Sequence, residues 1–249
     1  MIQFDNVYKS FGNFDVLKGV NITLPKGKTN FIIGRSGSGK SVILKHILGF
    51  LRPDSGQIVI EDQETCDFKE KDWQSMRKRF GMLFQDSALF DFMTVRQNVA
   101  FPLVEHSGKS IDEIDEIVFK KLEMVGLKGH EEKVPSELSG GMRKRVAFAR
   151  AVASDPDFVL FDEPTTGLDP IVCSVVDTLM KEAQQELNST FIVISHDMNA
   201  TFKIAHNIFM LYNGEIIMEG TPEDFQETDN PLIRQFIEGK LEGPFDIFY

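Results

Sequence analysis

Eight residues, 34–41, read Gly-Arg-Ser-Gly-Ser-Gly-Lys-Ser and fit the pattern G-x-x-x-x-G-K-[ST] without a mismatch. The apolar run 31–33 precedes them, and an amphipathic segment with apolar residues at 42, 43, 47 and 48 follows. Glycines allow such a loop to turn its backbone N–H groups inward, at the N-terminus of a helix, where they bind phosphate. The lysine then reaches the β- and γ-phosphates, and the final serine binds Mg²⁺. A chance glycine-rich turn would lack this strand and helix, so we predict a nucleotide and Mg²⁺ site formed by Gly34, Arg35, Ser36, Gly37, Ser38, Gly39, Lys40 and Ser41.

A pair of carboxylates follows a second apolar run. Residues 158–161 are Phe-Val-Leu-Phe, the pattern of a buried strand, and Asp162 and Glu163 end it. Asp162 would hold Mg²⁺ through water opposite Ser41, and Glu163 could polarise the water that attacks the γ-phosphate. The alternative is a solvated strand end with no function. The phosphate loop elsewhere in the chain favours the catalytic interpretation.

Two further residues stand where they could touch a nucleotide. His196 follows the predicted strand 191–194, and the carboxyl ends of parallel strands form the ligand crevice of open α/β sheets. A γ-phosphate contact is therefore predicted for His196, although a lone histidine is usually an ordinary polar residue. Phe11 lies on a turn, 11–13, shortly before the phosphate loop and could stack on the base. Its alternative is packing in the core or in the turn.

Residues 138–142, Leu-Ser-Gly-Gly-Met, open a helical segment that runs to about Ser154. Taken alone, Ser139 could simply be the N-cap of that helix. Gln85 ends the apolar strand 80–84, and the polar residues after it indicate a loop that leaves the sheet. Apolar residues spaced by three and four between 111 and 125 then predict a helix that Gly126 closes.

Composition bounds the class of protein. The 249 residues are 42% hydrophobic, which is enough for a substantial core. The net charge of −11 argues against a nucleic-acid partner. Cys66 and Cys173 have no spacing typical of a metal site or a disulfide framework, so a reducing compartment is expected. No signal peptide and no apolar run of about 20 residues is found, so any membrane connection must run through a partner.

Together these residues resemble the ATP-binding subunits of ABC transporters. The likeness covers about residues 2–240, and its elements occur in family order: Phe11, residues 34–41, Gln85, residues 138–142, Asp162, Glu163, Asp169 and His196. It implies an α/β fold with a P-loop NTPase core, an antiparallel β subdomain and an inserted α-helical subdomain at about residues 86–154. The ATP-binding domain would span 1–240, and residues 241–249 would form a C-terminal tail.

The resemblance also assigns roles. ATP would lie between the phosphate loop of one protomer and Ser139, Gly140 and Gly141 of the other in a head-to-tail homodimer. Gln85 would contact the water and Mg²⁺ and sense the membrane partner, while Asp169 would communicate across the dimer interface. Most of the family has glutamine where this chain has Met142, so a side-chain hydrogen bond is lost there while the backbone amides remain.

Within the family, the chain most resembles the ATPases of Mla-type systems. The likeness rests on residues 84–90, 98–106, 135–142 and 233–239. It implies phospholipid transport between the inner and outer membranes, which maintains outer-membrane lipid asymmetry, with an integral-membrane permease and an MCE lipid-binding protein as partners. The ATPase would be peripheral, on the cytoplasmic side of the bacterial inner membrane. The alternatives are an ATPase of a small-solute importer and a non-transport signalling ATPase of the cell-division type.

Two apolar segments are expected to dock. Residues 89–101 carry Leu89, Phe90, Phe92 and Met93, which we expect to be exposed and to receive a cytoplasmic helix of the permease. Their alternative is ordinary packing of the helical insertion. Residues 243–249 are unusually apolar for a chain end and are expected to lie against the chain itself or its dimer partner.

Overall fold

A computed structural model describes residues 1–244 of the 249. The described strands are β1 Ile2–Phe11, β2 Phe14–Leu24, β3 Thr29–Ile33, β4 Ser55–Ile60, β5 Gln63–Glu64, β6 Phe80–Leu83, β7 Phe158–Asp162, β8 Thr190–Ser195, β9 Asn207–Tyr212 and β10 Glu215–Gly220. The described helices are α1 Lys40–Ile47, α2 Glu70–Arg77, α3 Val95–His106, α4 Ile111–Met124, α5 Gly140–Ala151, α6 Pro170–Leu187, α7 Met198–Ile204, α8 Pro222–Glu227 and α9 Pro231–Glu238. The apolar tail beyond residue 244 lies outside the described residues.

The main sheet has six strands in the order β10-β9-β3-β8-β7-β6. Five of them are parallel, and β10 pairs antiparallel with β9. Its central strands β3, β7 and β8 are buried on both faces, so successive residues enter different cores. In β3, for example, Phe31 and Ile33 join the core shared with the inserted helices, while Ile32 joins the core shared with the antiparallel sheet.

The antiparallel sheet has the order β2-β1-β4-β5. β1 and β2 form a hairpin in which Phe11 pairs with Phe14, so the two turn residues are Gly12 and Asn13. Gly12 has a φ of 61°, which glycine adopts without a steric cost. The predicted antiparallel opening of the chain is therefore present.

Helices α3, α4 and α5 lie between β6 and β7, within the predicted helical insertion. Thr94 and Ser110 begin α3 and α4 with reciprocal capping boxes, and Ser139 caps α5 by accepting from the backbone N–H of Met142. In residues 1–244 no helix is both long and apolar enough to cross a membrane.

Helices α2 and α3 are among those that the sequence pattern does not predict. α2 begins at Glu70 in a polar stretch and buries Trp73 and Met76. α3 was missed because it has no apolar stripe of helical period, and because Pro102 lies inside it.

Glu61, next to the end of β4, joins the antiparallel sheet to the main sheet. Its carboxylate accepts from Lys26 Nζ at 2.6 Å and from Arg79, whose Nε also donates to Asp157 Oδ2 at 2.6 Å. The hydrogen bonds from Lys26 and Arg79 lower the pKa of Glu61 to about 2. A depressed carboxyl pKa stabilises the folded state above the pKa of the unfolded chain, and this contribution is lost as the pH falls through the folded value.

We therefore expect Glu61→Gln to lower the melting temperature at pH 7, because the amide keeps the shape and loses the charge. The difference from the wild type should shrink as the pH falls from about 4.5 toward 2, where the wild-type carboxyl also becomes neutral. Thermal unfolding followed by circular dichroism across this range checks it. A difference that stays constant with pH would contradict the ion-pair explanation.

Candidate active site

The carboxyl ends of neighbouring parallel strands bring the predicted site residues to one edge of the main sheet. In the β3–β8 register Ile33 lies opposite Ser195, and in the β7–β8 register Asp162 lies opposite Ile194. The phosphate loop, the acidic pair and His196 therefore leave the sheet side by side. A cavity of about 370 Å³ lies here, lined by Phe11, Val16, Ser36, Gly37, Gly39, Lys40, Ser41, Val42, Gln85, Asp162, Glu163 and Ile194.

The phosphate loop needs its glycines. Gly34 has a φ of 147°, and a Cβ there would lie 2.2 Å from the carbonyl oxygen of Leu211. Gly37 and Gly39 have φ values of 79° and 105°. Gly39 caps α1 without a side chain, so the first N–H groups of that helix remain available for an anion. The hydroxyl of Ser38 is buried and has no partner among the described residues, as expected of a loop built around a ligand.

Lys40 is buried in the mouth of this loop. Its Nζ donates to the carbonyl oxygens of Gly34 at 2.7 Å and Arg35 at 2.8 Å. Burial lowers the pKa of Lys40, while the carboxylates of Glu163 and Asp162 act in the opposite direction. An anionic phosphate beside the ammonium would offset this desolvation, so the loop and its lysine fit a nucleotide.

Ser41 and Asp162 can share a cation. Ser41 Oγ lies 3.5 Å from Asp162 Oδ1. Burial and then the neighbouring charge of Glu163 raise the pKa of Asp162, so a positive charge beside it would be favourable. Mg²⁺ prefers hard oxygen ligands and is usually held by one or two protein groups together with phosphate oxygens and water. The pair therefore fits Mg²⁺, which would neutralise charge on the phosphates.

Glu163 is held in a fixed orientation. His196 Nδ1 lies 2.7 Å from Glu163 Oε2, and Thr166 Oγ1 donates to the same oxygen at 3.1 Å. The Glu163 backbone has a φ of 52°, and its N–H donates to the carbonyl oxygen of Ile194 at 3.0 Å. Because both side-chain contacts fall on Oε2, Oε1 can accept the proton of a water, as a general base requires.

His196 contacts another side chain of the site, whereas Phe11 lines the cavity. His196 was predicted to contact the γ-phosphate, and in this structure the contact of its ring is with Glu163. Phe11 is 45% exposed and lines the cavity, with Lys9 Nζ 5.6 Å from its ring centroid. An exposed ring at the cavity agrees with stacking on a base rather than with packing in the core.

The signature segment, residues 138–142, and Asp169 do not contribute to the lining described for the cavity. Gly141 packs against α6, where a Cβ would lie 2.7 Å from Val172. Asp169 caps α6, because its Oδ1 accepts from the backbone N–H groups of Ile171 and Val172, both at 3.1 Å. Ser139 and Gly140 are exposed at the start of α5. These residues are thus available to a second copy of the chain.

Sequence reasoning missed two cationic residues of α5 that hold the loop after β6. Lys144 donates to the carbonyl oxygen of Gln85, and Arg150 donates to those of Ser87 and Ala88, both at 2.8 Å. Arg150 lies between two alanines in sequence, which was a weak signal of burial, whereas Lys144 lies between two arginines and gave none. The residues that they contact, about 60 positions away in sequence, could not be identified from a local pattern.

We expect Glu163→Gln to reduce the kcat of ATP hydrolysis by about 10²- to 10⁴-fold, since the amide cannot accept the proton of the attacking water. Nucleotide binding should remain, because Glu163 contributes no part of the phosphate loop. Phosphate release and the affinity for a fluorescent ATP analogue check the two expectations. The control is Glu182→Gln, the same change on the exposed face of α6, which should leave kcat unchanged. Wild-type kcat in Glu163→Gln would rule out this base.

Comparison with known proteins tests whether the chain belongs to the predicted family. A family profile described as ABC transporter matches residues 17–166. The chain is 41% identical over 249 residues to the intermembrane phospholipid transport system ATP-binding protein MlaF of Haemophilus influenzae, which covers 100% of this chain and 94% of that protein. It is 40% identical over 243 residues to the probable ribonucleotide transport ATP-binding protein mkl of Mycobacterium tuberculosis, which covers 98% of this chain and 68% of that protein.

A solved structure tests the fold. The ATP-binding cassette MJ0796, dimeric in a post-hydrolysis state with ADP and Pi, matches with a TM-score of 0.81 at 31% identity, over 89% of this chain and 99% of that chain. The predicted fold class and the predicted resemblance are both confirmed. The chain belongs to the ABC transporter family, as one of its ATP-hydrolysing subunits.

Proposed function

We propose that this chain powers the movement of phospholipid between the inner and outer membranes through a separate permease, and so maintains outer-membrane lipid asymmetry. The observation that carries the proposal is the similarity to a phospholipid-transport ATP-binding protein, which extends over the whole chain and nearly the whole relative. The arrangement of the active site supports the ATPase part independently of that name.

In the proposed mechanism, the phosphate loop would hold ATP and Phe11 would stack on its base. Ser41 and Asp162 would hold Mg²⁺, which would neutralise charge on the phosphates. Lys40 would stabilise charge on the phosphates, and Gln85, which lines the cavity, would contact the cation and the water. Glu163, oriented by His196 and Thr166, accepts the proton of the water. These contributions are positioning and electrostatic stabilisation, on which phosphoryl transfer mainly depends.

A homodimer is part of this proposal. The exposed Ser139 and Gly140 at the N-terminus of α5 offer backbone N–H groups to an anion, and they do not line the cavity around Lys40 of their own chain. A second copy in head-to-tail orientation would place them on the γ-phosphate and bring Asp169 to the interface. The similar solved cassette is dimeric, which supports this arrangement.

The permease would dock beside the loop that follows Gln85. An apolar groove of about 390 Å³ opens there, lined by Phe80, Gly81, Met82, Phe84, Ala88, Phe90, Phe101, Pro102, Arg150, Ala151 and Ser154. Phe92 is 80% exposed and its ring lies 5.9 Å from that of Phe90. Leu89 instead packs against the core, so the exposed apolar surface is smaller than predicted. We propose that a cytoplasmic helix of the permease fills the groove, with the chain peripheral on the cytoplasmic side of the bacterial inner membrane.

The composition of the native complex tests the transported substrate. Affinity purification of a Glu163→Gln chain from membranes, with mass spectrometry of proteins and lipids, should recover the permease, an MCE lipid-binding protein and phospholipid. Lys40→Ala, which should lose nucleotide binding, is the matched control for enrichment that depends on ATP. Recovery of a solute-binding protein would support solute transport, which the name of the mycobacterial relative suggests for that protein. A cell-division partner would support signalling, and either result would overturn lipid transport.

We expect Phe92→Asp to reduce recovery of the permease by about tenfold or more, because docking would bury an unpaired carboxylate. ATP binding by the isolated chain should not change. Ile111→Asp is the control, since Ile111 is similarly exposed, at 74%, at the start of α4, whereas the ring of Phe92 lies beside that of Phe90 in the groove lining. Quantitative mass spectrometry of the purified complexes measures recovery. Equal recovery for Phe92→Asp and the wild type would contradict docking at this surface.

A further inference from the structure

Lys144 is a buried lysine in the second turn of α5, the helix that the signature segment begins. Its side chain is directed at the sheet, and only 5% of the residue is exposed. Nζ donates to the carbonyl oxygen of Gln85 and lies 3.4 Å from the carbonyl oxygen of Glu163. One ammonium thus joins α5 to the loop after β6 and to the residue proposed as the general base.

Burying this ammonium is unfavourable by itself. Desolvation lowers the pKa of Lys144, and the nearby carboxylates of Asp86, Asp162 and Glu163 oppose that shift. A buried charge is retained at low cost only where acceptors and opposite charges surround it. Here the acceptors are the backbone carbonyl oxygens of Gln85 and Glu163. The positive charge of Lys144 therefore lies next to two residues of the proposed mechanism.

Glu163 depends on such contacts because its backbone is in the left-handed region, with a φ of 52°. Non-glycine residues stay in that region only where the surroundings hold them. The Glu163 N–H donates to Ile194 O at 3.0 Å, and its carboxylate is contacted by His196 and Thr166. Its carbonyl oxygen accepts from the backbone N–H of Thr166 at 3.3 Å and from Lys144 Nζ at 3.4 Å. Of these residues that contact Glu163, Lys144 belongs to the inserted helices, whereas Ile194, His196 and Thr166 belong to the sheet or to the loops that follow its strands.

A second cation of α5 extends the same attachment. Arg150 donates to the carbonyl oxygens of Ser87 and Ala88, and its guanidinium lies 5.8 Å from the ring centroid of Phe90. Together, Lys144 and Arg150 bond three carbonyl oxygens between residues 85 and 88 to one helix. The loop after β6 is therefore attached to α5 at three carbonyl oxygens.

We propose that Lys144 is a positioning residue for ATP hydrolysis, which acts by setting the orientation of Glu163 according to the position of α5. The helix that presents Ser139 and Gly140 would thereby control the general base of its own chain. The inference rests on the proposed hydrolysis at this site and adds to it a residue that contacts neither nucleotide nor metal.

The first test is steady-state ATP hydrolysis by the full chain with Lys144→Met, which keeps the length of the side chain and removes the ammonium. We expect kcat to fall about 10- to 100-fold while the KM for ATP changes by less than about threefold, because the phosphate loop is intact. Lys144→Arg, which keeps a cationic donor, should recover most of kcat. The matched control is Lys121→Met, a buried lysine paired with Asp155 at 2.6 Å in the inserted helices, which should leave kcat unchanged.

The second test asks whether Lys144 acts through Glu163. In a Glu163→Gln background, Lys144→Met should reduce the single-turnover rate by no more than about threefold, because a contact that orients the base has no effect once the base is gone. A full further loss in that background would overturn the proposal, as would unchanged kcat in Lys144→Met alone. If Lys144→Met does not fold, Lys144→Gln against Lys144→Arg gives the same comparison of a neutral with a cationic donor. An inactive wild type would instead refute the proposed ATPase function itself.

Discussion

The parallel hydrogen-bond register of β3, β8 and β7 is the constraint on which the rest of the site depends. Strands in such a ladder lie about 4.8 Å apart, so residues that follow equivalent positions emerge as close neighbours. The phosphate loop, His196 and the acidic pair therefore lie at the carboxyl ends of the neighbouring strands β3, β8 and β7. Ser41 and Asp162, which are 121 positions apart in sequence, become neighbours through this register.

Much of this arrangement could be predicted from the sequence because its determinants are local. The phosphate loop is a continuous pattern between a strand and a helix, and Asp162 and Glu163 directly end an apolar run. That parallel strands end at one edge then follows from general rules for α/β sheets. Phe11 lines the cavity, and its stacking on a base stays a prediction that depended on the neighbouring motif, because an aromatic residue near a turn is common.

The rest could not be predicted because its determinants are distant or weak. α2 buries only Trp73 and Met76, which leaves too little apolar periodicity to distinguish a helix from polar surface. Lys144 looks like a solvated lysine in sequence, and its role depends on carbonyl oxygens that the fold brings from two other segments. The contact of His196 with Glu163 likewise depends on side-chain orientation at two strand ends, which register alone does not determine.

Two consecutive residues of the loop after β6 have backbone angles in the left-handed region. Ser87 and Ala88 have φ values of 65° and 45°, and neither is a glycine, so each conformation carries a steric cost. The guanidinium of Arg150 offsets that cost by bonding both carbonyl oxygens. The backbone conformation of the loop therefore depends on the hydrogen bonds from Arg150 of α5 as well as on the loop's own residues. The position of α5 thus contributes to the backbone conformation of the residues that follow Gln85.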